Sequence, residues 1–377
     1  MADVLDLFCG VGGFSLGAAR AEFNVVGGID LDPYAMVMHE VNFPNAVHWK
    51  EDITQLNGQQ ILEHFNIHGI LDGVIGGPPC QGFSRMGHQN IDDARNSLFN
   101  KFFSLVAEIR PRFFLAENVL GILDPQNVPL VDLALDHVRR EYNILAPVIL
   151  KASEHGVPTT RTRVFFYGYR QDAMRPLHED DLSNLRGTEI VHVEEAFLGL
   201  PQYIADEWQG NPAGWLEVPA LGVRSYYYDR IRGHIPHGVG DSIAISRMRK
   251  KHLVSGNQGT VHSQTVRARY AALRPGDVDS ISKSRRLQLD GFCPTLRAGT
   301  GREHGSFQAV RPIHPTADRV ITPREAARLQ SFPDWFQFYP TKWHSFRQIG
   351  NSVCPILAEK ILRVIYMTIP QEKNHDC

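Results

Sequence analysis

Short apolar runs alternate with amphipathic stretches through the first half of the chain. The runs are residues 4–8, 25–29, 72–76, 113–117 and 164–168. Their valine, isoleucine and phenylalanine content predicts buried strands. Between them, apolar residues recur at helical spacing, for example over 98–109 and 128–142. Strands that alternate with helices predict an α/β fold with a doubly wound, mostly parallel sheet.

The alternation ends near Arg175, after which glycine, proline and polar residues become more frequent. Helical patterns return at 323–330, behind Thr322 as a cap with proline at the first helical position, and at 355–367. We therefore predict two domains. The larger comprises residues 1–190 and is completed by 346–377, and the smaller, irregular domain comprises 191–345.

The composition is that of an ordinary globular protein, with 43% hydrophobic and 21% charged residues. The apolar runs are too short to span a bilayer, and the N-terminus lacks the pattern of a secretion signal, so we expect a cytosolic protein without a membrane partner. Five cysteines without a CxxC pair argue against a disulfide scaffold or structural zinc. His234 and His237 lack further ligands at metal spacing, so no metal is expected.

The net charge of −2 conceals a strong asymmetry. Residues 1–219 carry 15 Lys/Arg and 29 Asp/Glu, whereas residues 220–311 carry 16 and 6. Residues 312–377 carry 8 and 6. A basic segment after an acidic one favours a lobe that faces a polyanion, since basic patches bind phosphate.

A glycine-rich turn joins the first predicted strand to the first helix, with the sequence DLFCGVGGF at 6–14. Such a turn lets a ligand approach the backbone closely. Asp30 ends the next strand, 18 residues after Gly12, and a carboxylate there can accept both hydroxyls of a ribose. Asp52 could accept from an adenine amino group. Asp30 could instead cap a helix, although Asp32 is the better cap because Pro33 follows it.

A second loop, GGPPCQGFS at 76–84, follows another buried strand. Its glycines and prolines turn the chain out of the sheet at the carboxyl end, where ligands bind in open α/β folds. Cys80 would thereby be presented beside the glycine-rich turn. A lone cysteine is most often inert and buried, but a buried structural cysteine does not need such a loop.

Together with four later motifs, these two loops make the chain resemble the carbon-5 cytosine-specific DNA methyltransferase family. The later motifs are ENV at 117–119, GVPTTRTR at 156–163, TPREAARLQ at 322–330 and QIGNSV at 348–353. Thr159 stands where the family usually has glutamine, and Leu31 where it often has an aromatic residue. Adenine stacking would then rest more on Phe8.

The resemblance implies a Rossmann-like methyltransferase of the bacterial restriction-modification or orphan type. Its cofactor would be S-adenosyl-L-methionine, which leaves as S-adenosyl-L-homocysteine. The implied cofactor-binding residues are Asp6, Phe8, Gly10, Gly12, Gly13, Phe14, Asp30, Leu31, Asp52, Ile53, Pro79, Asn351, Ser352 and Val353.

The implied catalytic residues act on a cytosine flipped out of the duplex. Cys80 would add to carbon-6 of the base as the nucleophile. Glu117 would bind ring nitrogen-3 and the exocyclic amine, and Arg163 the carbonyl oxygen-2. Arg161 would support the loop or bind a phosphate. Residues 85–95 resemble the family's mobile active-site loop.

Double-stranded DNA is the implied partner, recognised by residues 191–345, and the protein is expected to be a monomer beside a separate restriction endonuclease. The proposed DNA-binding residues are Gln81, Ser84, Arg95, Arg224, Arg230, Arg232, Arg249 and Lys250. Residues 226–228 could form a strand or a ridge that contacts DNA, and a strand is predicted, since tyrosine favours strands.

Two alternatives remain. The first is an RNA (tRNA) cytosine-5 methyltransferase of the same fold, against which the QGFS sequence at 81–84 and the long basic insert argue. The second is a catalytically inactive DNA-binding regulator, against which the presence of Cys80, Glu117 and Arg163 argues.

Overall fold

The computed structural model describes residues 1–79, 96–183, 185, 189–205, 213–220, 222–299 and 311–370. Most strands of these residues form one sheet. In chain order the strands are β1 (Asp3–Leu7), β2 (Asn24–Asp30), β3 (Val47–Lys50), β4 (Gly73–Gly76), β5 (Phe113–Asn118), β6 (Asn143–Ile144), β7 (Val148–Lys151), β8 (Thr162–Tyr169), β9 (Leu216–Glu217) and β10 (Leu253–Val254). The sheet order is β3-β2-β1-β4-β5-β8-β6, with β7 also paired to β8, while β9 and β10 pair separately.

The first five strands of that order are parallel, and β8 runs antiparallel to β5. The helices of the described residues are α1 (Gly13–Arg20), α2 (Pro33–Asn42), α3 (Gly58–His64), α4 (Asn96–Ile109), α5 (Val128–Asp136), α6 (Glu179–Ser183), α7 (Val193–Phe197), α8 (Tyr226–Tyr228), α9 (Ser242–Lys251), α10 (Gln264–Ala271), α11 (Pro323–Leu329), α12 (Lys342–Asn351) and α13 (Pro355–Tyr366). The predicted doubly wound, mostly parallel sheet is confirmed.

Helices cover both faces of the sheet because successive strand residues point to opposite sides. In β5, Phe113 and Leu115 belong to the apolar cluster that includes α1 and α13. Their neighbours Phe114 and Ala116 belong to the cluster that includes α3, α4 and α5. A strand buried on both faces reads as a continuous apolar run, which is the pattern of residues 113–117.

The C-terminal helix α13 packs on α1 over one face of the sheet. A Cβ added at Gly17 would lie 2.3 Å from the Cβ of Ala358, so the helices meet at backbone distance. Tyr227 and Trp335 belong to the same apolar cluster as α1 and α13. The smaller segment therefore shares a core with the larger one, and the division at 190 and 346 stays a prediction.

The strand predicted at 226–228 is wrong, because these residues form the short helix α8. The side chain of Ser225 caps it by accepting a hydrogen bond from the amide of Tyr228. The buried Tyr227 donates its hydroxyl to the carbonyl oxygen of Arg328, 2.6 Å away. This tertiary contact and the serine cap outweigh the preference of tyrosine for strands.

A membrane span would need a long apolar helix, and the described part of the chain contains none.

Candidate active site

The carboxyl ends of β1, β2, β4 and β5 form one edge of the sheet, here called the carboxyl edge. The glycine-rich turn leaves β1 at this edge through three positive φ angles, 64° at Phe8, 54° at Gly10 and 99° at Gly12. A positive φ at Phe8 is unusual, since a side chain strains that conformation. A Cβ added at Gly10 would have nothing within 4 Å, so open space lies beside this part of the turn.

The same turn contacts the QIGNSV motif on its other side. A Cβ added at Gly13 would lie 2.5 Å from the carbonyl oxygen of Val353 and 2.9 Å from the Cβ of Ser352. Asn351 is exposed at the end of α12. Phe14 is buried edge-on against Phe165, so its ring packs in the core. The structure thus brings the first and last motifs of the chain together.

The carboxylate of Asp30 connects the end of β2 to the glycine-rich turn. One oxygen accepts from the amide of Gly10 at 2.8 Å, and the other from the amide of Asp32 at 2.8 Å. Burial raises the pKa of Asp30, and these backbone hydrogen bonds oppose that effect. Asp32 is the cap of α2, as predicted, and accepts from the amide of Tyr34. Leu31, 63% exposed, follows Asp30.

Asp52 follows β3 at the same edge of the sheet. Its carboxylate accepts from the amide and hydroxyl of Thr54, at 3.0 and 2.8 Å, and caps a short 3₁₀ turn. Ile53 is buried beneath it. The predicted adenosine-contacting residues therefore lie on successive strand ends.

Sequence reasoning missed a buried polar network beneath the glycine-rich turn. Ser15 donates to Asp6 at 2.5 Å, and its hydroxyl oxygen lies 3.0 Å from Nε2 of His39. Burial raises the pKa of Asp6 to about 7, with the charge of Asp30 adding to the shift and the Ser15 hydrogen bond opposing it. Burial also lowers the pKa of His39, which keeps its ring neutral.

Two polar atoms of this network have no hydrogen-bond partner among the described residues, namely Oδ1 of Asp6 and Nδ1 of His39. A buried carboxylate oxygen left in this state can accept a hydrogen bond from a bound ligand. The only sequence signal for the network was polar residues on buried faces of α1 and α2.

Glu117 and the two arginines of the GVPTTRTR motif meet at the carboxyl edge. In the β5–β8 register, Glu117 lies opposite Phe165 and Asn118 opposite Val164, so Arg163 follows directly. Nε of Arg163 lies 2.7 Å from Oε1 of Glu117, and Nη2 of Arg161 lies 4.0 Å from the same oxygen.

That Glu117 oxygen has no aligned hydrogen bond from the described residues, although both cations are close. Arg161 donates through Nη1 to the carbonyl oxygen of Gly350 at 2.9 Å, which connects β8 to the end of α12. Burial lowers the pKa of Arg161 to about 10, and the charge of Arg163 lowers it further. Arg161 is thus a bracing residue as well as a neighbour of Glu117.

The second loop begins beside Glu117. Gly76 at the end of β4 lies opposite Ala116, so the chain leaves β4 next to Glu117. A Cβ added at Gly77 would lie 3.6 Å from Oε2 of Glu117. Pro79 is exposed. The predicted residues Cys80, Gln81, Ser84 and Arg95 lie outside the described residues.

Cys354 lies behind this site and was not singled out from the sequence. Its thiol donates to Oε1 of Gln330 at 3.2 Å, and Gln330 in turn donates to the carbonyl oxygen of Ile349. Burial raises the pKa of Cys354 to about 11, although the charges of Arg161 and Arg163 oppose the shift. The protonated thiol therefore serves packing between α11 and α12.

The predicted phosphate contacts of the basic segment lie at the other end of the sheet. Helices that follow parallel strands run back from the carboxyl edge, so α1 and α2 end away from it. Arg20, the last residue of α1, donates to the carbonyl oxygen of Arg230, and the amide of Gly240 donates to Asn42, the last residue of α2. The structure therefore does not bring these predicted contacts to Glu117, whereas another part of the segment, at Cys293, hydrogen-bonds to Pro158 and Thr160 beside the paired arginines.

Within that segment, Arg230 and Arg232 have partners inside the chain. Arg230 donates to both oxygens of Glu359 at 2.7 to 3.0 Å. Arg232 donates to two backbone carbonyls, those of Val218 and Pro219. These contacts favour a structural role for both.

Arg224, Arg249 and Lys250 are exposed. Arg224 and Arg249 line a cavity of about 640 Å³, with Tyr228 and Met248 among its other walls. The cavity lies with α8 and α9, on the far side from the glycine-rich turn.

One group of described residues has the composition of a metal site. His192, Glu194 and Glu195 offer ligand atoms within 4.8 Å of one another. Glu195 accepts from the amide of His192 at 2.8 Å, as residues at a helix start do. Helix capping is sufficient to explain this arrangement.

The sequence pattern of the family described as C-5 cytosine-specific DNA methylase matches residues 2–367. Type II methyltransferase M.XorII of Xanthomonas oryzae pv. oryzae is 36% identical over 364 residues, covering 95% of this chain and 82% of the relative. Type II methyltransferase M.DdeI of Desulfomicrobium norvegicum is 33% identical over 385 residues, covering 95% and 87%.

Comparison with solved structures supports the same family and fold. An E. coli prophage protein described as a DNA modification methyltransferase has a TM-score of 0.87 at 45% identity, covering 98% of this chain and 99% of that one. The S. pombe Dnmt2 methyltransferase has a TM-score of 0.61 at 17% identity, which shows the shared fold alone. The chain therefore belongs to the C-5 cytosine-specific DNA methylase family, and it is a DNA (cytosine-5-)-methyltransferase with type II restriction-modification relatives.

Proposed function

We propose that this enzyme transfers a methyl group from S-adenosyl-L-methionine to carbon-5 of a cytosine in a specific double-stranded DNA sequence. The observation that carries the proposal is the meeting of Glu117, Arg161 and Arg163 beside the point where β4 leads towards Cys80. Cationic and carboxylate groups at one edge of a sheet suit a flat, hydrogen-bonding base.

The residues around the glycine-rich turn fit the cofactor. Asp30 lies at the strand end where a ribose would be bound, and Gly10 borders open space. Oδ1 of Asp6 is buried without a partner among the described residues and suits the cofactor's amino group. The bound cofactor would supply an electrophilic methyl group on a sulfonium sulfur. Phe8, Leu31, Asp52 and residues 351–353 complete the proposed site.

The target base must leave the duplex to reach this edge. The thiolate of Cys80 then adds to carbon-6 of the cytosine, which opens the 5,6 double bond and makes carbon-5 nucleophilic. Glu117, in its protonated form, donates to nitrogen-3 as negative charge develops there and accepts from the exocyclic amine, and Arg163 holds both Glu117 and oxygen-2 of the base.

Carbon-5 takes the methyl group, and S-adenosyl-L-homocysteine is left. A base then removes the carbon-5 proton, the bond between Cys80 and carbon-6 breaks, and the thiolate is restored. The proton passes to solvent, so the enzyme ends the cycle unchanged. Arg161 keeps Glu117 and the end of α12 in position throughout, through its bond to Gly350.

The proposed substrate places the enzyme with the DNA of the bacterial cytosol. Its similarity to type II methyltransferases supports a pairing with a separate endonuclease that would cut the same DNA sequence when it is unmethylated. We further propose that the enzyme acts as a monomer on the duplex.

Bisulfite sequencing of DNA from a host without its own cytosine methylation tests this function. Expression of the chain should protect one cytosine in a single recurring sequence from bisulfite conversion. The Cys80→Ser substitution should abolish this protection while leaving duplex binding intact. Methylated tRNA with unmodified DNA would favour the RNA alternative. Duplex binding without any methyl transfer by the wild-type chain would favour the inactive regulator. Full protection by the Cys80→Ser variant would exclude the covalent mechanism.

A further inference from the structure

A group of cations lies around α12, the helix that ends at the carboxyl edge. The guanidinium carbon of Arg311 lies 4.2 Å from the ring centre of Phe346. Phe346 precedes Gly350 by four residues, or about 6 Å along the helix axis. Gly350 accepts the hydrogen bond of Arg161, and Arg161 approaches Glu117. Arg311 therefore packs on the helix whose last turn accepts the hydrogen bond of Arg161.

A second cation, Lys342, lies on the same helix. Lys342 begins α12 and donates to the carbonyl oxygen of Gly259 at 2.6 Å. Burial lowers the pKa of Lys342, and the charge of Arg311 lowers it further. His262 accepts from the amide of Val320, and its pKa is lowered by burial and then by Arg267, Lys342, Arg319 and Arg311.

Carboxylates are missing from this group, as far as the described residues extend. Arg319 has its own partner in Glu325, but no described carboxylate pairs with Arg311 or Lys342. Burial lowers the pKa of Arg311, and no acidic group opposes that shift. The fully buried Arg328, by contrast, pairs with Asp334, and the fully buried Arg324 donates to the backbone carbonyls of Ser255, Pro333 and Phe336.

A partly buried guanidinium without a counter-charge is costly, because burial removes hydration that nothing replaces. A charge on the solvated surface keeps its hydration and does not incur this free-energy cost. A phosphate that contacted Arg311 and Lys342 together would neutralise both and relieve their repulsion. Charge complementarity therefore points to a phosphodiester ligand.

We propose that Arg311 and Lys342 form a phosphate-contact cluster for the DNA duplex. This inference rests on the proposed function and deepens it. It places the duplex along α12 at the carboxyl edge, and not along α9 at the far end of the sheet.

Equilibrium binding of a fluorescein-labelled 30-bp DNA duplex, measured by anisotropy from 50 to 200 mM salt, tests the cluster. Each lost phosphate contact should reduce the slope of log affinity against log salt by about 1. We expect that reduction, with an affinity loss of about tenfold, for Arg311→Gln and for Lys342→Gln. Arg140→Gln, at an exposed arginine beyond α5, is the matched control and should bind as the wild-type protein does.

Arg311→Lys separates charge from packing on Phe346. If the charge contacts phosphate, this variant keeps the salt slope even where its melting temperature falls. Unchanged slopes in folded Arg311→Gln and Lys342→Gln would overturn the cluster. A salt slope that is reduced only in Arg249→Gln and Lys250→Gln would also overturn the cluster, because it would place the duplex at α9.

The duplex assay requires no methyl transfer, so it also separates this inference from the proposed function. A wild-type chain that binds no duplex overturns both. If the wild-type chain binds duplex through Arg311 but transfers no methyl group, the phosphate-contact cluster is supported and only the proposed activity is overturned. Stronger binding of a 30-bp RNA duplex, used as an unlabelled competitor, would overturn the assignment to DNA.

Discussion

Replacing Gly13 by alanine would set a methyl group against the carbonyl oxygen of Val353. The added Cβ would lie 2.5 Å from that oxygen, 2.9 Å from the Cβ of Ser352 and 3.1 Å from the ring of Phe332. Two of the three distances are below 3.0 Å, and one neighbour is backbone, so the glycine-rich turn and the QIGNSV motif must separate. Overpacking of this kind costs about 1–3 kcal/mol.

Urea unfolding of the purified enzyme measures this cost, with Gly69→Ala as the control. A Cβ at Gly69 would have nothing within 4 Å, and its φ is not positive, so we expect a change within about 0.5 kcal/mol. Gly13→Ala should also weaken S-adenosyl-L-methionine binding in calorimetry, because the proposed site spans both segments. A Gly13→Ala enzyme as stable as Gly69→Ala would refute the packing argument.

Two further predictions concern the buried charges. Folding raises the pKa of Asp6 from 3.8 to about 7, so the folded state binds the extra proton and stability falls as pH rises from about 4 to 7, by up to about 1.4 kcal/mol per pH unit. Asp6→Asn should flatten this decline in urea unfolding at several pH values, and an unchanged decline would contradict the assignment. Arg163→Leu removes the cation 2.7 Å from Glu117 and should lower kcat by about 10²-fold or more while cofactor binding persists. A rate within threefold of the wild-type rate would show that the contact is dispensable.

The basic segment shows that a charge count does not tell which arginines already have partners inside the chain. The charge asymmetry correctly marks residues 220–311 as basic. Arg230, however, is fixed by Glu359, which is 129 positions away in sequence. Arg311, at the end of the same segment, was not singled out, because nothing in its sequence neighbourhood signals that Phe346 and Lys342 will surround it.

The sequence by itself determined the features that depend on residues close together in the chain. The alternation of apolar and polar residues that marks strands and helices is of this kind. So are the Asp32 and Thr322 caps, since their hydrogen bonds span four residues or fewer. Six ordered motifs also determined the family, because together they are far more specific than any one alone.

Only the tertiary structure decided which distant groups meet. Arg161 and Gly350 are 189 positions apart, and Ser15 and His39 are 24 apart on different helices. Tyr226–Tyr228 became a helix because a buried hydroxyl found the carbonyl of Arg328 across 101 positions. Such contacts form only when the sheet and its helices pack, and packing sets burial and therefore the pKa values of Asp6, His39 and Arg161.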